Sequence, residues 1–211
     1  MSAALCCAAL FVAVSLVHAT PASGVRSWQV DGSVGYLFVS EAQGDPWFKD
    51  TAQPAISFGY GGGTWLVGAT ADYARRTTSF EGAVPGSDFH ETVDLRTGNT
   101  CFRGFAKYYP SGRERRVAPY LGASVGTGLT SVEQTGAISG RSASDRELRL
   151  SYSGTLGAQL NFQSLPVHTF LEVSYGGLGQ ISDLPAGSVI PPEDAEELTF
   201  VSVAVGVGAS F

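Results

Sequence analysis

The last fourteen residues, Leu198 to Phe211, restrict most narrowly what this chain can fold into. Val201, Val203, Val205, Val207, Ala209 and Phe211 alternate with Ser202, Ala204, Gly206, Gly208 and Ser210. A period of two kept over that length describes a strand with one oily face and one small or polar face. Strands of soluble proteins are usually about half as long. At about 3.4 Å per residue and a tilt near 45°, about ten residues cross the hydrocarbon layer of a bilayer, so this strand can span it. No open sheet edge can face lipid, so the rest of the chain must supply partner strands that close the sheet on itself.

The same period recurs seven times upstream. The expected strands run from about Trp28 to Ser40, Thr51 to Tyr60, Thr64 to Arg75, Asp94 to Tyr108, Arg116 to Thr130, Leu148 to Phe162 and His168 to Leu178. The sixth is the clearest: Leu148, Leu150, Tyr152, Leu156 and Leu160 alternate with Arg149, Ser151, Ser153, Thr155 and Gln159. A slip of one residue there would put Arg149 into lipid. Long polar connections are expected at 41–50, 76–93, 131–146 and 179–197, with short turns between them at Gly61–Gly63, Pro110–Arg115 and Gln163–Val167. Alternation of long external loops with short periplasmic turns is the connectivity of an all-β, eight-stranded antiparallel up-and-down transmembrane β-barrel. Trp28, Tyr60, Trp65, Tyr108, Phe162 and Phe211 fall at one set of strand ends, and Phe38, Tyr73, Tyr152, Tyr175 and Phe200 at the other, as two aromatic girdles would. Pro54, inside the second strand, must cost a ladder hydrogen bond or mark a bulge.

Composition agrees with a single β unit: 44% apolar, 15% charged and 27 glycines in 211 residues. A soluble sandwich or lipocalin-like barrel would turn the apolar faces inward and needs neither two girdles nor strands this long. The net charge of −6, without a Lys/Arg stripe, gives no footprint for a nucleic-acid partner. Residues 1–19 read as a secretory signal peptide, with an apolar core from Ala3 to Val17 and Val17-His18-Ala19 as the cleavage pattern; 20–211 is then the barrel domain. No Lys or Arg precedes that core.

An eight-stranded lumen is just wide enough to be filled by side chains, so a diffusion pore is not expected. The inward set contains Asp31, Asp72 and Glu172 against Arg103, Lys107 and Arg149. Burying any one of them alone would cost several kcal/mol, so a plugging network of ion pairs is the expected solution, with a gate as the alternative. Catalytic chemistry finds little support. His90 and His168 read as solvated histidines, and Cys101, with His18, His90 and His168, gives no plausible zinc site. Cys101 reads as a small lumen-facing side chain. The glycine clusters 59–63 and 122–128 lack the helix and lysine of a phosphate loop. Neither a metal nor a cofactor is called for.

Phe105-Ala106-Lys107-Tyr108-Tyr109-Pro110 and Ala118-Pro119-Tyr120-Leu121-Gly122-Ala123-Ser124-Val125-Gly126 resemble small bacterial outer-membrane barrels of the OmpW, OmpX and OmpA-like group. The layout extends over 20–211, and OmpW-like proteins come closest in length and loop pattern. The C-terminal Val203, Val205, Val207 and Phe211 resemble the signal by which such barrels are handed to the barrel-assembly machinery. The resemblance implies residence in the bacterial outer membrane and contact with its lipid. It further implies passive uptake of small hydrophobic solutes through a narrow barrel. The competing expectation is a surface protein whose loops 41–50, 76–93, 131–146 and 179–197 bind a host or matrix partner while the barrel anchors them.

Overall fold

The computed structural model describes residues 27–39, 51–83, 90–136, 142–162, 165–178 and 198–211. Eight strands follow one another: β1 (Ser27–Val39), β2 (Thr51–Gly62), β3 (Trp65–Ala83), β4 (His90–Tyr108), β5 (Val117–Gly136), β6 (Ser142–Asn161), β7 (Val167–Leu178) and β8 (Leu198–Ser210). Each pairs antiparallel with its neighbours in sequence, and β1 pairs with β8 to close the barrel. Phe211 completes the seam, its N–H donating to the Trp28 carbonyl at 2.9 Å and its carbonyl accepting from the Trp28 N–H at 2.8 Å.

Register fixes the shape. A line of directly opposed residues starts at Trp28 and passes through Tyr60, Val67, Ala106, Ala123, Gly154, Tyr175 and Val201. It returns to β1 at Phe38, ten residues further along. A shear of ten over eight strands corresponds to a strand tilt of about 40°. At about 3.3 Å per residue, Trp28 and Phe38 then stand about 25 Å apart along the barrel axis, the height of the apolar band of such barrels.

Between these levels the outward face is apolar: Val34, Ile56, Phe102, Leu156, Val205 and Val207 are all exposed. In water such a surface would be an aggregation site, whereas in hydrocarbon it is the solvated face. The lower girdle is locked by ring contacts, Trp28 stacking on Phe58 at 4.9 Å and Trp65 meeting Tyr108 at 4.7 Å. In the upper one Tyr36 joins Phe38 edge-on at 5.0 Å.

The structure corrects several boundaries. The expected long connections 76–93 and 131–146 are mostly strand: β3 continues to Ala83, β4 starts at His90, β5 reaches Gly136 and β6 starts at Ser142. Val93 and Leu95 are buried while Asp94 and Arg96 are exposed, so the two-residue period persists where polar composition suggests a loop. Phe200, expected in the outer girdle, is buried in the lumen at 6% exposure, because it shares the parity of Ser202 rather than that of Val201. Pro54 makes no bulge. The β1 ladder runs through it opposite Val34, and pairing with β3 begins one residue later, at Ala55. The expected signal peptide 1–19 and the loops 41–50 and 179–197 lie outside the described residues.

Val205 is 60% exposed near mid-height and pairs with Val34 and Leu171, whereas Ser202 faces the lumen. Val205→Arg is therefore expected to cost about 2–4 kcal/mol of folding free energy in lipid vesicles, with a smaller cost for Ser202→Arg, measured by urea titration of the refolded protein. Equal costs would refute the assigned faces.

Candidate functional site

The inward residues fall into three layers. The lowest, at the periplasmic end, is an aromatic and polar plug in which Leu66, Phe105, Tyr109, Ala118 and Tyr120 cluster, all buried. The Tyr109 hydroxyl donates to Gln159 Oε1 at 3.1 Å and its ring lies 5.0 Å from that of Tyr120. In the turn below, Arg113 folds inward and donates to Ser27 Oγ. Burial pushes the Tyr109 phenol up, with Asp31 and Glu172 adding to the effect, so it stays a hydrogen-bond donor. Burial pulls the Arg113 guanidinium down, offset by Tyr109, Glu114 and Asp31.

On one wall of this layer Gln29, Asp31 and His168 form a buried trio. Gln29 Nε2 donates to both Asp31 oxygens at 3.0 and 2.9 Å, and His168 Nε2 lies 2.8 Å from Asp31 Oδ1. Asp31 on β1 and His168 on β7 meet across β8 because the residue opposite both is Gly208. A Cβ there would overlap Asp31 Oδ1 and His168 Nε2. His168, expected to be solvated, is 2% exposed. The available signal is its parity, shared with inward Phe170 and Glu172; Gln29 shares that of Asp31.

The middle layer is a small polar chamber between β1 and β8 and the strands facing them. Eight hydroxyl side chains line it, and neighbours on adjacent strands bond in pairs: Ser57 to Thr70 at 3.1 Å, Ser124 with Ser153 at 2.8 Å, Thr155 with Ser174 at 2.8 Å. Two ion pairs border it. Asp72 meets Arg103 between adjacent strands and also accepts from Gln53 Nε2. Lys107 on β4 reaches Glu172 on β7 at 2.5 Å, bridging strands that do not touch in the sheet. Tyr120 donates to the same Glu172 oxygen at 2.6 Å. The Lys107 ammonium also sits 4.8–5.5 Å from the ring centres of Tyr120, Phe170 and Phe105. Its desolvation is thus offset by one carboxylate and three aromatic rings.

Above the chamber Leu37, Cys101, Leu178 and Phe200 pack as an apolar layer. Asn99 Nδ2 contacts Cys101 Sγ at 3.3 Å in this layer. The six charged residues singled out from the sequence are therefore not one network. Asp72 with Arg103 and Glu172 with Lys107 are brought together, Asp31 takes His168, and Arg149 lies buried toward the outer end, opposite Gly128. Val203, Val205, Val207 and Phe211 line the outward face of β8.

A closed, girdled barrel of eight strands with an outward apolar band and inward polar side chains defines a transmembrane barrel of the bacterial outer membrane. The family model described as outer membrane protein beta-barrel domain matches residues 5–211, and the chain belongs to that family. No curated protein matches the sequence. Among solved structures, Neisserial surface protein A is similar with a TM-score of 0.57 and 14% identity, over 89% of this chain and 99% of that one. Ail, the attachment invasion locus protein of Yersinia pestis, solved with the heparin analogue sucrose octasulfate, has a TM-score of 0.51 and 16% identity over 90% and 100%. A major outer membrane protein from Thermus thermophilus has 0.57 and 13% over 87% and 99%. At these identities the likeness is one of fold.

Replacing Lys107 by Met leaves Glu172 beside Tyr120 without its cation and is expected to destabilise the barrel by about 3 kcal/mol. Adding Glu172→Gln should return at least about 1 kcal/mol. Urea unfolding of the four proteins of this cycle measures the coupling, and strict additivity would mean that the bridge does not hold the two walls.

Proposed function

We propose that the protein is a non-enzymatic surface barrel that anchors a four-stranded projection through which it meets a host or matrix partner. One observation carries this reading: β3 to β6 are 19 or 20 residues long, whereas β1, β2, β7 and β8 are 12 or 13. Four consecutive strands thus continue past the outer girdle as one sheet, β3 running from Tyr73 in the girdle up to Ala83. Such an extension adds nothing to the membrane span. Its outward face carries Arg75, Asp94, Arg96, Glu133 and Arg146, all exposed.

The lumen favours this reading over a conduit for small hydrophobic solutes. A hydrophobic solute would have to cross a hydroxyl-lined chamber and two ion pairs, flanked by the buried Tyr109 and Tyr120 layer and by Leu37 and Phe200. The desolvation of those groups would work against its passage.

The test compares refolded protein with a variant in which 78–95 and 133–144 are each replaced by a tight turn. The intact protein in nanodiscs is expected to bind immobilised fibronectin, laminin or collagen at least about tenfold better than the shortened one, an order typical of losing one hot spot. Proteoliposomes of either should take up an apolar dye no faster than empty vesicles. Equal binding by both, or uptake above empty vesicles, would overturn the reading.

A further inference from the structure

At the periplasmic floor three side-chain atoms crowd together in a way that hydrogen bonds do not fully satisfy. Gln29 Nε2 lies 3.0 Å from Asp31 Oδ1, His168 Nε2 lies 2.8 Å from the same oxygen, and the two nitrogens are 3.1 Å apart. Asp31 Oδ1 can accept from both, but two donors are then left in contact with no bond between them. Gln29 is 1% exposed, and its Oε1 is buried without a hydrogen-bond partner among the described residues. The trio thus holds a surplus donor inside the triangle and an unused acceptor beside it.

A half-turn of the Gln29 amide exchanges the two. Oε1 then joins Asp31 Oδ1 and the Nε2 lone pair of His168, in the tautomer protonated at Nδ1, as three acceptors at the corners of a nearly equilateral triangle. Ligand atoms about 2.1 Å from one ion and at right angles to each other stand about 3.0 Å apart, which is the size of this triangle. We propose that Gln29, Asp31 and His168 form a site for a divalent first-row transition metal, with water in the remaining positions. One imidazole nitrogen and two oxygens suit ions of the Mn²⁺ to Zn²⁺ series, whereas Ca²⁺ takes oxygen ligands throughout and Cu(I) prefers sulfur.

The fold supplies this site from three strands. Gln29 and Asp31 stand two apart and share the inward face of β1, so one strand provides both oxygens. His168 comes from β7, and the residue opposite both it and Asp31 on β8 is Gly208. A Cβ there would come within 2.0 Å of Asp31 Oδ1 and 2.5 Å of His168 Nε2, so a glycine is what lets the donors meet over β8. The charge of the site is set from below. Arg113 reaches Ser27 Oγ from the turn and interacts electrostatically with Asp31, so it supplies positive charge to the metal-free trio and competes with an entering ion. Glu172, two residues above His168 on the same face, is held by Lys107 and Tyr120, and Tyr109 by Gln159. Gln29 is the third residue of β1 and His168 the second of β7, which places the site next to the periplasm, behind the Arg113 side chain.

The experiment is equilibrium dialysis of the refolded, untagged full chain in micelles against Zn²⁺ alone, in a parent whose Cys6, Cys7, His18 and His90 are replaced by Ala so that His168 is the one histidine left. The parent is expected to retain about one ion per chain. His168→Gln and Asp31→Asn should each weaken retention at least about tenfold. Gln29→Glu, which adds a second carboxylate, should tighten it at least about tenfold, and Arg113→Gln, which removes the competing cation, should tighten it as well. Heat-shifted gel mobility reports folding of each variant, and the two tightening variants decide the matter where the weakened ones do not fold. With Co²⁺ in place of Zn²⁺, the single imidazole should show paramagnetically shifted proton resonances. No retention by the parent, retention unchanged in folded His168→Gln, or Gln29→Glu binding no tighter than the parent would overturn the proposal and leave the trio as a hydrogen-bonded brace of the seam.

Discussion

Hydrocarbon offers no hydrogen bonds, and the structure follows from that deficit. Every backbone N–H and C=O at membrane depth must find a partner in the chain, and a sheet can do this only by closing. The closure rests on the β1–β8 seam, eleven opposed pairs from Gln29–Ser210 to Val39–Phe200, extended by the reciprocal bonds of Trp28 and Phe211. Phe211 is therefore a structural member of the seam. Once the seam is set at a shear of ten, tilt, girdle spacing and the inward or outward assignment of each side chain are determined together.

The interior follows from the same geometry. A barrel this narrow has no room for bulk water along its axis, so its polar residues must satisfy one another. They do so at three scales: hydroxyl pairs between adjacent strands, the Asp31–His168 contact over Gly208, and the Lys107–Glu172 bridge across the lumen. The last two join strands that share no ladder, and the Lys107–Glu172 bridge reaches the farther around the barrel, from β4 to β7. The polar contacts lie between the layer around Tyr109 and Tyr120 and the layer around Leu37 and Phe200, and together these side chains occupy the lumen along the described strands.

Much of this is legible in the sequence because alternation is a local signal that membrane burial enforces. The eight strands, the outward faces of β6 and β8, the lower girdle and the inward placement of Asp72, Arg103, Lys107 and Glu172 all follow from parity. Composition misleads where it is weighed above parity. Val93 and Leu95 alternate with Asp94 and Arg96, yet the surrounding polarity suggests a loop and hides the length of β3 to β6. The place of His168 near a strand end suggests solvent, although its parity points inward. Asp31 cannot be matched to its partner from sequence because the contact depends on a glycine in a third strand, a fact of register around the barrel that no single segment contains.

The central claim is that odd-numbered residues of β8 face lipid and even-numbered ones face the lumen. Single nitroxide labels at positions 201 to 207, in a chain with Cys6, Cys7 and Cys101 replaced by Ala and reconstituted in vesicles, test it most directly. Collision with dissolved oxygen is expected to be high at 201, 203, 205 and 207 and low at 202, 204 and 206. Uniform collision rates, or maxima at the even positions, would contradict the account.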